Sequence, residues 1–499
     1  MSNDWPLLLQ FLGEFDFKIK IGTPALGYQL FFIDLSPWKL RLSHFTPVIW
    51  VRSDDSHKVS PLHLFQSLQD VIRERGLHRR TTLVLLEGDG TALQKHATDP
   101  LHNLVIIDAN AHEKIIQSRR PSGELLDLIS AQIPISNLAP YEISSPVTGS
   151  RFFGREYEIS KIRSNPDTNF LILGIRRIGK TSLLQEIKRI FEEDRNFPFV
   201  EYIDCSELQS TYDYVQKVVR DLNPKELPRL HLQEYAFFFP HFLERMKQKY
   251  GGKIIFLLDE LDNLLVKQRG DWELISMLRA SANKGICQYV MAGYSEALKE
   301  LYLLDNPLFK SVHPIRLNEF TRQQAHKLIV TPMENLGVNF KNTNEVVGRI
   351  YEETAGHPNL IQYYCMILMK KLDQTGTREI SPDSLIDIYT DEGFKNHLLS
   401  SFMYNTRNRE KAVVYATLRY SAGMAGQSFS QADIDAALKK QDIIMLQNDI
   451  DNACNVLILA GIFHQKGKDY SFTSPVFSRM LTQSYDLQYL LKKIKEEGI

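Results

Sequence analysis

Residues 170–187 read FLILGIRRIGKTSLLQEI. Four apolar residues suited to a buried strand run directly into Gly174-x-x-x-x-Gly179-Lys180-Thr181, and the apolar spacing that follows is helical. Each part of such a strand, loop and helix faces the same anion. The glycines let the loop wrap with its amides pointing inward, and the helix N-terminus adds its positive dipole end. Lys180 is placed to reach the β- and γ-phosphates, and the Thr181 hydroxyl to ligate magnesium. Gly174, Ile175, Arg176, Arg177, Ile178, Gly179, Lys180, Thr181 and Ser182 therefore form the expected nucleotide-binding segment, with ATP or ADP and magnesium as its ligands. Arg176 and Arg177 either touch phosphate or face solvent; the motif does not choose between these.

A P-loop protein that hydrolyses its nucleotide also needs carboxylates at the end of a neighbouring strand. Residues 253–260, KIIFLLDE, supply five apolar residues followed by Asp259 and Glu260. Asp259 is expected to hold the magnesium, and Glu260, one residue beyond, to polarise the attacking water. An apolar strand ending in two acids is often merely structural. Its position behind the P-loop, after one intervening strand, favours the hydrolytic reading, in which Lys180 and Glu260 carry the chemistry.

Further apolar runs at 199–203, 288–292 and 314–317 alternate with helical sequence. They predict an α/β fold: a parallel P-loop NTPase sheet over 151–318, with helices on both faces. Working outward, 319–400 has helical periodicity and reads as a helical subdomain, with Pro358 suited to a first helical turn. Three helical stretches (409–421, from about 431, and 446–459) and two short strands around Gly467 predict a winged helix over 401–485. Residues 486–499 read as a C-terminal tail. Towards the N-terminus, prolines at 134, 140 and 146 mark 133–150 as an extended linker. Residues 1–132 then form a separate α/β domain, with strands at 30–33, 48–51, 83–86 and 104–107 and helices at 62–75 and 125–132.

The 499 residues suffice for about three domains, and the 43% apolar content for real cores. With 59 basic and 60 acidic residues, the overall charge draws the chain neither to nucleic acid nor to an anionic membrane. Cys205, Cys287, Cys365 and Cys454 are scattered among apolar stretches, as expected of reduced core thiols in a cytoplasmic protein. No signal peptide is expected at the N-terminus, and no apolar run approaches the roughly 18 residues of a membrane span. His57, His63 and His78 lack partners at ligand spacing, so no zinc is expected. Asp54, Asp55, Glu87, Asp89 and Asp108 lie near apparent strand ends without a metal-binding or nuclease spacing, which suggests an interaction or regulatory module rather than a degenerate effector.

With these residues in hand, 151–480 resembles the STAND branch of the AAA+-related ATPases, in the prokaryotic group with a GxRRxGKTSLL-type P-loop. Phe152-Phe153-Gly154-Arg155-Glu156 is similar to the FxGRE box of that group, which implies that Phe153, Gly154 and Arg155 approach the nucleotide. QYVMAGYS at 288–295 resembles the sensor strand, with Ser295 near the γ-phosphate. Gly356-His357-Pro358 resembles the GxP motif, whose proline packs close to the nucleotide. Arg279 is a further candidate for a charge on the phosphates. Each has an ordinary alternative: a solvated turn residue for Arg155, a helix cap for Ser295, a surface histidine for His357 and a solvated helix face for Arg279. The resemblance implies a switch in which the helical and winged-helix domains close over ADP and release on exchange or hydrolysis. The long repeat array that serves many relatives as sensor does not follow residue 480.

The expected function is therefore a STAND-type signalling ATPase of slow turnover, working through protein partners or self-association in prokaryotic signalling or defence. An origin-recognition-type ATPase on DNA and a nucleotide-dependent scaffold with little hydrolysis are the alternatives. DNA is disfavoured because the third helix of the winged helix carries Asp449 and Asp451 and no Lys or Arg, leaving only Lys466 and Lys468 on the wing.

Overall fold

The computed structural model describes residues 6–14, 17–42, 45–52, 60–77, 81–96, 104–194, 199–267, 272–294, 297, 308, 311–420 and 428–498. Its first unit is a five-stranded sheet of β1 (Ile19–Ile21), β2 (Gln29–Ile33), β3 (Thr46–Val51), β4 (Thr82–Leu86) and β5 (Leu104–Ile107), in that spatial order. The first two pairings are antiparallel and the last two parallel. Side chains alternate between two cores, as the period of a strand requires. Ile49, Val84 and Ile106 face the helix Pro61–Glu74, while Val48, Leu85 and Val105 face the opposite cluster. The acids at its strand ends have local tasks: Glu87 accepts from the Trp50 indole, Asp89 from Thr91, and Asp108 caps the helix Ala109–Gln117. Asp54, Asp55, His57 and His78 lie outside the described residues.

The central sheet contains β6 (Phe170–Leu173), β7 (Phe199–Asp204), β8 (Ile254–Asp259), β9 (Cys287–Gly293) and β10 (His313–Arg316), all parallel and ordered β10-β6-β9-β8-β7. This is the α/β P-loop NTPase sheet expected from the sequence. Pro314 is tolerated because β10 is an edge strand. The amides of His313 and Leu317 point inward to Asn169 and Leu173, so the nitrogen of Pro314 faces the open edge, where no donor is needed. The helix Lys180–Glu192 packs Leu183, Leu184, Ile187 and Phe191 on one face of the sheet. The helices Thr211–Leu222, Tyr235–Tyr250 and Glu273–Asn283 cover the other.

Beyond it lie the helices Arg322–Asn335, Thr343–Thr354 and Pro358–Thr375. The last is apolar almost all round and correspondingly buried. The C-terminal unit has helices Asn408–Tyr420, Gln431–Lys439 and Gln447–Leu459, with an antiparallel sheet of β13 (Phe429–Ser430), β14 (Phe463–Lys466) and β15 (Asp469–Phe472), β15 lying in the middle. Ser430 and Asp433 form the capping box that opens its second helix. A two-stranded pairing of β11 (Asn339–Phe340) with β12 (Glu379–Ile380) completes the sheets of the described residues.

Two segments differ from their reading as linker and tail. Within 133–150, Ile133, Ile135, Leu138, Ala139 and Tyr141 are buried. The Asp373 carboxylate accepts from the amides of Ile135 and Ser136, at 3.0 and 2.9 Å, and the Tyr141 hydroxyl donates to Ile329. The stretch is thus an anchored strap. Residues 487–497 form a helix that buries Leu487, Leu491 and Ile494. Prolines and a short amphipathic run carry no local sign of the partners that bury them. No described helix is long and apolar enough to cross a membrane.

Candidate active site

The loop after β6 takes the shape its glycines allow. A Cβ at Gly174 would meet Ile178 at 2.8 Å and the Leu317 carbonyl at 3.1 Å, so this position requires close approach. Gly179 has φ +107°, where a side chain is strained even though the space beside it is open. Arg177 also has positive φ, at 62°. Lys180 folds back over the loop, its ammonium donating to the carbonyls of Gly174 (2.8 Å) and Ile175 (3.3 Å). Burial holds its pKa below the usual lysine value, opposed by Glu260, Asp259 and Asp262. Three carboxylates therefore favour its charged form.

Asp259 ends β8 and is only 2% exposed. One of its oxygens accepts from the backbone N–H of Glu260 and the other from the Tyr202 hydroxyl, both at 2.9 Å. Glu260 turns out of the strand with φ 51°, and its carboxyl is raised above the usual range by burial and by the neighbouring Asp259. Asp262, which the sequence motifs did not single out, accepts from the amides of Tyr294 and Ala297, at 2.5 and 3.1 Å. It braces the end of β9, and the Tyr294 ring lies 5.4 Å from the Lys180 ammonium.

A cavity of roughly 570 Å3 opens beside the loop, lined by residues 176–182, by Glu260, by Phe152, Phe153 and Arg155, and by Pro358 and Asn359. Its size suits a nucleotide. Phe153 and Pro358 thus reach the cavity, whereas Gly154 serves as a turn at φ 77°, its carbonyl accepting from Gln324 at 2.6 Å. Arg155 is 5% exposed and is no solvated turn residue. Its guanidinium donates to the carbonyls of Asn318 (2.6 Å) and Ile178 (3.5 Å), pairs with Glu158 and lies over the Phe320 ring. It joins the P-loop to the end of the sheet. Arg279 is exposed on the helix Glu273–Asn283 and does not line either large cavity, consistent with a solvated face. Ser295 lies outside the described residues.

The strap closes one side of the cavity through contacts no motif announces. Ser182, within the P-loop, accepts from the amide of Val147 (3.1 Å), and the buried Glu186 from that of Gly149 (2.7 Å). At the strap's other end, Gln362 accepts from Glu142. Asn359 donates to Ile143 and accepts from His397 at 2.6 Å, and His397 in turn meets Arg177. His357 approaches the Arg176 carbonyl at 3.4 Å. Burial pushes both histidines down to about 4, so they are neutral partners of these arginines. Arg177 therefore contacts the helix Glu392–Asn405, and Arg176 lines the cavity.

The C-terminal unit meets the other side. A Cβ on Gly461, at φ 71°, would come within 2.9 Å of Ile175, and Tyr294 reaches the Ile458 carbonyl at 3.5 Å. A second cavity of roughly 630 Å3 lies between this unit and Lys180, Glu260 and Asp262. The acids of the helix Gln447–Leu459 are turned to its flanks: Asp449 pairs with Arg409 at 2.6 Å, and Asp451 accepts from Gln431. The helix exposes Gln447, Asn448, Asn452, Asn455 and the apolar Val456. Arg409 thus offsets the Asp449 charge, while Asp451 is hydrogen-bonded to a neutral amide, and formal charge along the helix reveals neither contact; the helix itself carries no Lys or Arg.

Thr181 and Asp259 offer the hard oxygen donors that magnesium prefers, and magnesium keeps much of its shell as water and phosphate, so this small donor set fits it. Residues 163–301 match the family described as "AAA domain". The ORC1-type DNA replication protein 3 of Sulfurisphaera tokodaii is 30% identical over 132 residues, 24% of this chain and 32% of that protein. The ORC1-type DNA replication protein 8 of Haloarcula marismortui is 28% identical over 171 residues, 32% of this chain and 38% of that protein. The chain thus spans about a third of the length of these curated relatives. The Walker-type ATPase of Pyrococcus abyssi shares its fold, with a TM-score of 0.51 at 17% identity over 69% of this chain and 99% of that one. The centre of this chain is an AAA-type P-loop ATPase domain.

Proposed function

We propose that the chain is a nucleotide-driven ATPase of the origin-recognition type, in which ATP binding and hydrolysis at the P-loop control how the C-terminal unit engages duplex DNA. The loop amides and Lys180 neutralise the phosphates, Thr181 and Asp259 hold magnesium, and Glu260 orients and deprotonates the attacking water. Magnesium, when bound, offsets charge on the β- and γ-phosphates. The observation that carries this reading is that Lys180, Glu260 and Asp262 line a cleft bordered by the C-terminal unit, with the buried Asp259 preceding Glu260 at the end of β8. Phosphate bound or lost there changes the charge beside Ile175 and Tyr294, the residues that meet Gly461 and Ile458.

DNA is the favoured partner for two reasons. The curated relatives carry the name of DNA replication proteins. In addition, a C-terminal unit read as a winged helix exposes Asn448, Asn452 and Asn455 on one helix face, side chains suited to base edges, beside Lys466 and Lys468 on the wing. A STAND-type signalling switch is the second reading, favoured by the direct contact of the C-terminal unit with the P-loop.

Multiple-turnover phosphate release, together with anisotropy of a labelled duplex at several salt concentrations with ADP or a slowly hydrolysed ATP analogue, tests both. Turnover with nucleotide-dependent, salt-sensitive DNA binding supports the first reading. Turnover with no DNA binding at low salt removes it in favour of the signalling switch.

A further inference from the structure

Asp259 is fixed from two directions. Its register partner on β7 is Asp204, and Tyr202, two residues earlier on that strand, reaches along the sheet to place its hydroxyl 2.9 Å from one Asp259 oxygen. The other oxygen takes the backbone N–H of Glu260. The Tyr202 ring packs with the apolar side chains under the P-loop helix, and Gln185 of that helix lines the same shallow cleft beside it. An amide beside a phenol can donate to its oxygen and so direct the phenol proton towards a carboxylate. One side chain therefore joins the helix that carries Thr181, through its ring, to the strand that carries Asp259, through its hydroxyl. At 2% exposure, Asp259 has little water to replace that donor.

We propose that Tyr202 is a positioning residue for the magnesium site: it sets the orientation of the Asp259 carboxylate relative to the P-loop helix, and Gln185 orients Tyr202. The inference rests on the reading of Asp259 as the carboxylate that serves the metal. Nothing along β7 marks Tyr202 among the other residues of the strand, because its role depends on a side chain 57 positions away.

The test is binding of a fluorescent ADP, with and without Mg2+, to the full chain and to the variants Tyr202→Phe, Gln185→Leu and Asp259→Asn. Tyr202→Phe keeps the ring and removes the donor. Its metal-free ADP affinity is expected to stay within about two-fold, which also reports an intact fold. The Mg2+ concentration for half-maximal enhancement is expected to rise about ten-fold, the effect of one hydrogen bond to a charged group. Gln185→Leu should move the midpoint in the same direction by less. An unchanged Mg2+ midpoint in Tyr202→Phe, with Asp259→Asn abolishing the enhancement, overturns the role of Tyr202. An unchanged midpoint in Asp259→Asn overturns instead the assignment of Asp259 to the metal, and the role of Tyr202 falls with it. If Tyr202→Phe loses metal-free binding as well, Gln185→Leu decides: a shifted midpoint supports the proposal and an unshifted one overturns it.

Discussion

Replacing Arg155 with Ala should destabilise the central unit even when no nucleotide is bound. The guanidinium is buried, donates to the Asn318 carbonyl at 2.6 Å and lies 4.9 Å from the centre of the Phe320 ring. A hydrogen bond involving a charged group contributes about 1.5–3 kcal/mol. A desolvated cation over a ring adds up to about 2 kcal/mol. Releasing the buried charge returns part of this, since burial also holds the guanidinium pKa down. A net loss of about 3 kcal/mol follows. With a urea m-value of about 3 kcal/mol/M, the midpoint for the central unit falls by about 1 M. Arg155→Lys should recover less than half, because a single ammonium cannot reproduce the planar fork, one nitrogen of which meets two carbonyls and the other Glu158. The assay is urea unfolding without nucleotide, and the direct comparison is with a solvated turn residue, whose loss changes stability by no more than about 0.5 kcal/mol. A midpoint shift below about 0.2 M would refute Arg155 as an anchor between the P-loop and the sheet.

Lys180→Ala should abolish most ADP-dependent stabilisation. At ligand one thousand times the wild-type Kd this is about 4.1 kcal/mol, and a hundredfold loss of affinity reduces it to about 1.4 kcal/mol, readable as a thermal shift. Glu260→Gln should retain nucleotide binding and lose turnover by about a hundredfold or more, measured as phosphate release. Because the Glu260 carboxyl is raised by burial and by Asp259, wild-type turnover should begin to fall, as pH decreases, above the usual carboxylate range. His357 and His397 have folded pKa values near 4, below the unfolded value of about 6.5, so their contribution is fully present above about pH 6.5 and is lost as pH falls towards 4. Unfolding midpoints at pH 7, 6 and 5 should show this decline, and His397→Gln should reduce it.

The sequence by itself determined the P-loop, the β8 strand ending in Asp259 and Glu260, the parallel sheet and most strands and helices of the outer units. These depend on residues adjacent along the chain: a strand period, glycines at fixed offsets, a capping box at Ser430 and Asp433. Tertiary structure alone decided that Arg155 is buried, that Asp449 pairs with Arg409 and Asp451 takes a hydrogen bond from Gln431, and that 133–150 is pinned to Ser182, Glu186 and Asp373. It also decided that Tyr202 holds Asp259 and that Asp262 braces Tyr294. Each of these depends on a contact between residues distant in the chain, and neither composition nor periodicity records which charges meet or which polar groups lose their water.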